Sequence, residues 1–185
     1  MSVPGAIRRN IKAPEPQWTS AKQDSSIGGT RYSRSHAARA AEVAGAIIAY
    51  QPLNSELSGV LVKEQDRVII GVNSAHPKTR QRFTIAHELG HLVLKHKGEV
   101  FVDRTVLRRD GKSSQAVDKQ EIEANGFAAA LLMPQALVLE RLEYRQNEKP
   151  TIAPKELIEL LAKDFGVSAE AMGYRLANLG IFMPA

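Results

Sequence analysis

An α+β fold, mainly helical with a small antiparallel-type sheet, is what this sequence predicts, and three observations carry the prediction. Residues Phe83 to His96 run without proline and repeat apolar side chains at helical spacing. Gly59-Val60-Leu61-Val62 and Val68-Ile69-Ile70-Gly71-Val72 are short β-branched runs, and the polar Lys63-Glu64-Gln65-Asp66-Arg67 between them supplies a hairpin turn. Asp118 to Met133 is a second proline-free helical segment, rich in alanine.

The first helix carries the chemistry. It reads Phe83-Thr84-Ile85-Ala86-His87-Glu88-Leu89-Gly90-His91-Leu92-Val93-Leu94-Lys95-His96. At about 100° per residue, His87 and His91 stand roughly 40° apart on one face, and Ile85, Leu89, Leu92 and Val93 gather on the other. Glu88 sits on the flank. The pattern is H-E-x-x-H, the helix of zincin hydrolases, so the expected fold is zincin-like. Imidazoles at i and i+4 can share one Zn²⁺ at about 2.0–2.1 Å, and the intervening carboxylate takes a proton from the attacking water. A catalytic zinc needs a third protein ligand. The chain has no cysteine, which leaves a carboxylate or another histidine. His96 lies about 180° from His87 round the same helix, so it cannot join the pair. His76, just before Pro77, reads as a surface residue.

The second helix offers the better ligand. Glu121, Ala124, Asn125, Ala128 and Leu132 share a face small enough for another helix to approach closely. Glu123 points about 160° away from Glu121 and falls four residues after Lys119, so it reads as a solvated ion-pair partner. Glu121 reads as the carboxylate aimed at the histidines. Asn125, one turn on, is placed to steady a metal ligand by a hydrogen bond. Such a His/His/carboxylate set suits Zn²⁺ and also accepts Mn²⁺ or Fe²⁺.

The paired segments Arg82-Phe83-Thr84-Ile85-Ala86-His87-Glu88-Leu89-Gly90-His91 and, thirty residues later, Glu121-x-x-Ala124-Asn125-x-Phe127-Ala128-x-x-Leu131-Leu132-Met133-Pro134 resemble the ImmA/IrrE family of metallo-endopeptidases. The likeness runs from about Ser58 to Pro134. A weaker echo follows at Val167-Ser168-x-x-Ala171-Met172-x-x-Arg175-Leu176-x-Asn178-Leu179-Gly180. The resemblance implies a gluzincin-like peptidase with His87, His91 and Glu121 as metal ligands and Glu88 as general base. It also implies a protein substrate, typically a helix-turn-helix transcriptional repressor encoded nearby, whose cleavage switches on stress or mobile-element genes. Larger members carry a further sensor-like domain, which a chain ending at Ala185 is not expected to hold.

The remaining chain is organised around that core. Residues 1–35 are rich in Pro, Gly, Ser and Thr and carry a net charge of +4, most of the +5 of the whole chain, which reads as a basic flexible tail. Residues 36–146 form the expected peptidase domain. Within it an Ala-rich run from Ser35 predicts a helix closing near Pro52, and Val100-Phe101-Val102 a further short strand. Zincins seat an extended peptide along an edge strand of such a sheet. The polar run from Arg108 to Ser114 reads as a mobile loop. A helix over Gln135–Arg145 precedes a break at Gln146–Pro150. Residues 150–185 then form a small helical appendage with helix-turn-helix-like spacing at Ala162, Gly166 and Met172, with Gly166 stopping one helix and Ser168 capping the next. Its second helix offers one Arg (Arg175) and one Asn (Asn178), too little for base reading, so packing or partner docking outweighs direct nucleic-acid contact and no DNA-binding residue is assigned.

Composition bounds the setting. The length of 185 residues suits one catalytic domain with an appendage, and 43% hydrophobic content is enough for a core. Zero cysteines excludes a disulfide scaffold and fits a cytoplasmic protein. No run approaches about 18 apolar residues, and no secretory-type apolar stretch opens the chain, so no membrane contact is expected. The expected function is a zinc endopeptidase acting on a specific protein partner. The alternatives are a toxin–antitoxin component or a DNA-binding regulator with a non-catalytic metal site. Oligomeric state is not legible.

Overall fold

The structure, a computed structural model, describes residues 36–104 and 115–181. The basic tail expected over 1–35 and the polar run from Arg108 to Ser114 lie outside the described residues. The chain divides into two compact units between Leu132 and Met133. That division comes earlier than the break expected at 146–150.

The first unit contains α1 (His36–Val43), β1 (Ala46–Gln51), β2 (Leu57–Lys63), β3 (Val68–Asn73), α2 (Lys78–Val93), β4 (Val100–Arg104) and α3 (Gln115–Leu132). The single helix expected from Ser35 toward Pro52 is corrected here. Gly45 adopts φ 82° and donates to Glu42 O at 2.9 Å, which closes α1. Ile47 and Ile48 then continue as strand, where their branched side chains are better accommodated.

The sheet order is β1-β3-β2-β4. The expected hairpin is present, with Leu61 opposite Ile70 and Val62 opposite Ile69. The strand expected at Val100-Phe101-Val102 is β4, antiparallel to β2. The fourth strand is the one the sequence hid: β1 pairs parallel with β3, so the sheet is antiparallel over two of its three pairings and mixed as a whole. Side-chain alternation gives the sheet two faces. Ala46, Leu61, Ile70 and Val72 are buried on the face toward α1 and α2. The opposite face carries Ile47, Ile69, Val60, Val62, Val100 and Val102, of which Ile47 and Val100 are each 57% exposed. Asn73, fully buried, holds the loop between β1 and β2: its Nδ2 donates to Leu57 O at 2.8 Å and to Asn54 O at 3.2 Å, and its Oδ1 accepts from the Leu53 and Ala75 amides.

Helix α2 lies between the sheet and α3. It is buried on nearly every side from Gln81 to His91, which is why a one-sided apolar stripe describes it poorly. Ile85 and Leu89 are core residues as their spacing predicts, whereas Val93 is 42% exposed beside the helix end.

The second unit contains α4 (Gln135–Glu148), α5 (Pro154–Phe165) and α6 (Ala169–Asn178). Arg145 clamps α4 to α5 with a fork on Asp164, Nε to Oδ2 at 3.1 Å and Nη2 to Oδ1 at 2.7 Å. Gly166, at φ 61°, ends α5, and the Ser168 hydroxyl caps α6 by accepting from the Ala171 amide, both as the sequence predicts. Arg175, the basic residue of the helix-turn-helix-like pair, is 9% exposed and donates through Nε to Met133 O. It serves packing. No single described helix is long and apolar enough to cross a membrane.

Candidate metal centre

Two helices build the centre. Position 90 of α2 is glycine, and a Cβ there would lie 3.1 Å from Ala124 Cα and 3.2 Å from Ala124 O on α3. The bare backbone lets α3 come close enough for Glu121 to reach the imidazoles. His87 Nε2 and His91 Nε2 are 3.1 Å apart. Glu121 Oε2 is 3.1 Å from His87 Nε2, and Oε1 is 3.4 Å from His91 Nε2. Both histidines are buried, while the Glu121 side chain keeps 32% of its exposure.

The outer ring nitrogens fix the tautomers. His87 Nδ1 lies 3.0 Å from Asn125 Oδ1, and an amide oxygen only accepts, so Nδ1 carries the proton. His91 Nδ1 lies 2.9 Å from His96 Nδ1, whose own Nε2 is 3.1 Å from Glu123 Oε2. Neutral His87 and His91 therefore turn unprotonated Nε2 atoms inward. Two nitrogen lone pairs and a carboxylate converge, which is a set of acceptors that calls for a cation. Four-coordinate zinc with ligands at about 2.0–2.1 Å spaces its ligand atoms by about 3.3 Å. The observed separations of 3.1 to 3.4 Å fit that size.

Burial raises the Glu121 carboxyl, but its short contacts with the two imidazoles outweigh it and hold the pKa at about 2, so positive charge is favoured where the three groups meet, whether as a proton on Nε2 or as a metal ion. Burial lowers His87, and the surrounding carboxylates of Glu121, Glu88 and Asp103 more than reverse this, so its pKa is raised. His91 is lowered, by burial first and then by its histidine neighbours.

Glu88 is fully buried, and among the described residues neither carboxyl oxygen has a hydrogen-bond partner. Burial first, then Asp103 and Glu121, push its pKa up to about 8. It sits above Gly59 of β2, where a Cβ would be 3.7 Å from Glu88 Oε1. Nearby, Asp103 accepts from the Thr84 hydroxyl at 3.1 Å and faces Arg80 at 3.8 Å. A buried carboxyl with so raised a pKa, beside three converging ligand atoms, is suited to exchange a proton there.

The structure thus brings His87, His91 and Glu121 within one cluster, with Glu88 on the same helix and Asn125 against His87. His76 stays in the turn before α2. Sequence reasoning missed His96, which does not share the cluster but lies behind His91, 7% exposed. It also missed half of Glu123. That residue makes the expected ion pair with Lys119, at 3.7 Å, and in addition meets His96. The one available signal was Lys97-Gly98, a helix-stop composition that made continuing α2 through His96 unsafe.

Residues 41–177 match the profile of the Peptidase_M78 family, the IrrE N-terminal-like domain. The chain is 36% identical over 110 residues to the radiation response metalloprotease IrrE of Deinococcus radiodurans, covering 60% of this chain and 31% of that protein. It is 31% identical over 98 residues to the uncharacterized immunity region protein 2 of Bacillus phage phi105, covering 52% of this chain and 55% of that one. The matched segment therefore spans about a third to a half of these relatives. With the matched profile reaching from α1 to α6, the chain belongs to the IrrE N-terminal-like family of metallopeptidases.

Proposed function

We propose that this protein is a metal-dependent endopeptidase, with zinc its first metal, that hydrolyses one protein partner, a helix-turn-helix transcriptional repressor, and so releases stress or mobile-element genes. The observation that carries the reading is the convergence of three ligand atoms, all within 4.8 Å of one another, beside a buried carboxyl that has no hydrogen-bond partner among the described residues. His87, His91 and Glu121 hold the ion. Asn125 keeps the His87 proton on Nδ1. A bound divalent ion supplies a Lewis acid that polarises the scissile carbonyl and acidifies water. Glu88 accepts the proton as the water oxygen adds to the carbonyl carbon, and returns it to the amine as the C–N bond breaks. Its dry setting makes the carboxylate a stronger base than a solvated one.

Among the described residues, β4 is the edge strand beside the centre, with Phe101 tilted against the His91 ring at 4.4 Å and Asp103 joined to Thr84. An extended substrate segment adding along β4 runs past the ligands. The two relatives, a radiation response metalloprotease and a phage immunity region protein, support a regulatory substrate, and a cytoplasmic setting is part of the proposal.

The test is co-incubation with the helix-turn-helix protein encoded beside the gene, followed by mass spectrometry. Cleavage by the wild type, loss of cleavage with retained metal in Glu88→Gln, and loss of both in His87→Ala support the reading. Tight partner binding that leaves the partner intact and ignores a chelator would instead support the toxin–antitoxin alternative.

A further inference from the structure

Three of the described helices end in the same way, and one of them is built differently. In α5, Gly166 donates to Lys163 O and Val167 to Ala162 O; after α6, Gly180 donates to Ala177 O and Ile181 to Leu176 O. Both are Schellman closures, with glycine in the left-handed position and an apolar pair, Ala162 with Val167 and Leu176 with Ile181, at the two ends of the longer bond. In α2, Lys95 donates to Leu92 O at 3.2 Å and His96 to His91 O at 3.0 Å. The left-handed residue is Lys95, at φ 55°, among the described residues the one non-glycine with positive φ. The apolar pair is replaced by two imidazoles, His91 and His96. The turn returns the chain under the helix end, and Lys63 Nζ donates to His96 O at 2.9 Å to hold it there.

We infer that Glu123 and His96 are positioning residues for His91, a two-step relay that commits its Nε2 to the metal; this rests on the metal-centre reading above. The proton positions follow from the outer end inward. A carboxylate only accepts, so His96 Nε2 carries a proton toward Glu123 Oε2, 3.1 Å away. Neutral His96 then has an unprotonated Nδ1, which accepts from His91 Nδ1 at 2.9 Å. His91 is left with its lone pair on Nε2, facing His87 Nε2 and Glu121. The ring is also clamped laterally by Phe101, with centroids 4.4 Å apart. His87 reaches the same tautomer through Asn125. The two ligands of one helix are thus oriented by different devices, and Glu123, on α3 two residues from Glu121, ties the second device to the helix that supplies the third ligand.

The test measures Zn²⁺ affinity of the full chain by competition with a chromophoric chelator, and reads histidine tautomers from long-range ¹H–¹⁵N NMR of the chelated protein. His96→Phe and Glu123→Ala are each expected to weaken Zn²⁺ binding about 10- to 100-fold and to replace the single Nδ1-protonated His91 signal by a tautomer mixture. His96→Gln, whose amide oxygen can accept from His91 Nδ1, is expected to recover most of the affinity. Glu123 is 44% exposed, so its truncation does not threaten folding if the buried His96 variant fails to fold. Wild-type affinity and an unchanged His91 tautomer in Glu123→Ala, alongside loss of binding in His91→Ala, would overturn the relay and leave the metal centre standing. Unchanged Zn²⁺ affinity in His91→Ala would overturn the metal centre itself, and the relay with it.

Discussion

Gly90 on α2 lies so close to Ala124 on α3 that a methyl group there would press the Ala124 backbone at 3.1 Å. The approach is what puts Glu121 within reach of both imidazoles. Gly90→Ala gains about 1 kcal/mol in helix propensity and loses a comparable amount to crowding, so its melting temperature is expected to stay near wild type. Its Zn²⁺ affinity is expected to fall several-fold as α3 is pushed outward. Gly90→Val adds more bulk than the backbone can yield to and is expected to cost about 2 kcal/mol or more in urea unfolding. Wild-type affinity and stability in both would show that the helices can separate without consequence.

Gly59 performs the same service under Glu88. A Cβ there would overlap the Thr84 methyl and come 2.8 Å from Gly71 O. Gly59→Ala is expected to destabilise the protein by about 1–3 kcal/mol, because the neighbours that must move are a buried helix and the central strand β3. Circular dichroism melts check this. A variant at full stability would mean that α2 can rise off the sheet freely.

The raised Glu88 pKa has a stability consequence once the ion is removed by a chelator. Folded Glu88 keeps its proton until about pH 8, whereas its reference value is 4.5. Between those values the native state binds more protons than the unfolded state, so stability falls as pH rises. The upper bound is about 4–5 kcal/mol, from about 1.4 kcal/mol for each pH unit. His87, also raised, acts in the same direction, and the lowered His91 opposes it. Glu121, held at about 2, contributes stability that is present above its reference value of 4.5 and is lost only as pH falls toward 2. Comparison with Glu88→Gln isolates the one group. Between pH 5 and pH 8 the chelated wild type is expected to lose more unfolding free energy than Glu88→Gln, by a few kcal/mol. Parallel losses would place the pH effect elsewhere.

Metal itself should stabilise the fold. Zn²⁺ at a hundred times its dissociation constant contributes about 2.7 kcal/mol if it binds only the native state. Melting temperature is expected to rise with added Zn²⁺ in wild type, and the rise is expected to shrink strongly in Glu121→Gln, which trades the anionic ligand for a neutral amide. An equal rise in both would remove Glu121 from the ligand set.

What the sequence made legible was local periodicity. Spacings of three and four residues located α2, α3 and the shared face of Glu121 and Asn125, and β-branched runs located the β2–β3 hairpin. The failures occurred where the chain changes course. Alanine propensity across His36 to Ala49 masked the turn at Gly45 and the parallel pairing of β1, because a parallel partner is set by contacts far along the chain. His96 was misplaced for a related reason. A helical wheel drawn through it assumes continued right-handed backbone, and Lys95 breaks that assumption. The same error concealed the second role of Glu123, whose ion pair with Lys119 is local and whose contact with His96 is not.

The division of the centre between α2 and α3 has a bearing on how the protein is made. Two imidazoles on an emerging α2 are a weak chelate, and Glu121 leaves the ribosome about thirty residues after His91. On the metal-centre reading, a tight site exists only after the later helix has settled against Gly90. Ion uptake is then a late step of biogenesis, and truncated or half-folded chains are left without the cofactor that would arm them as proteases.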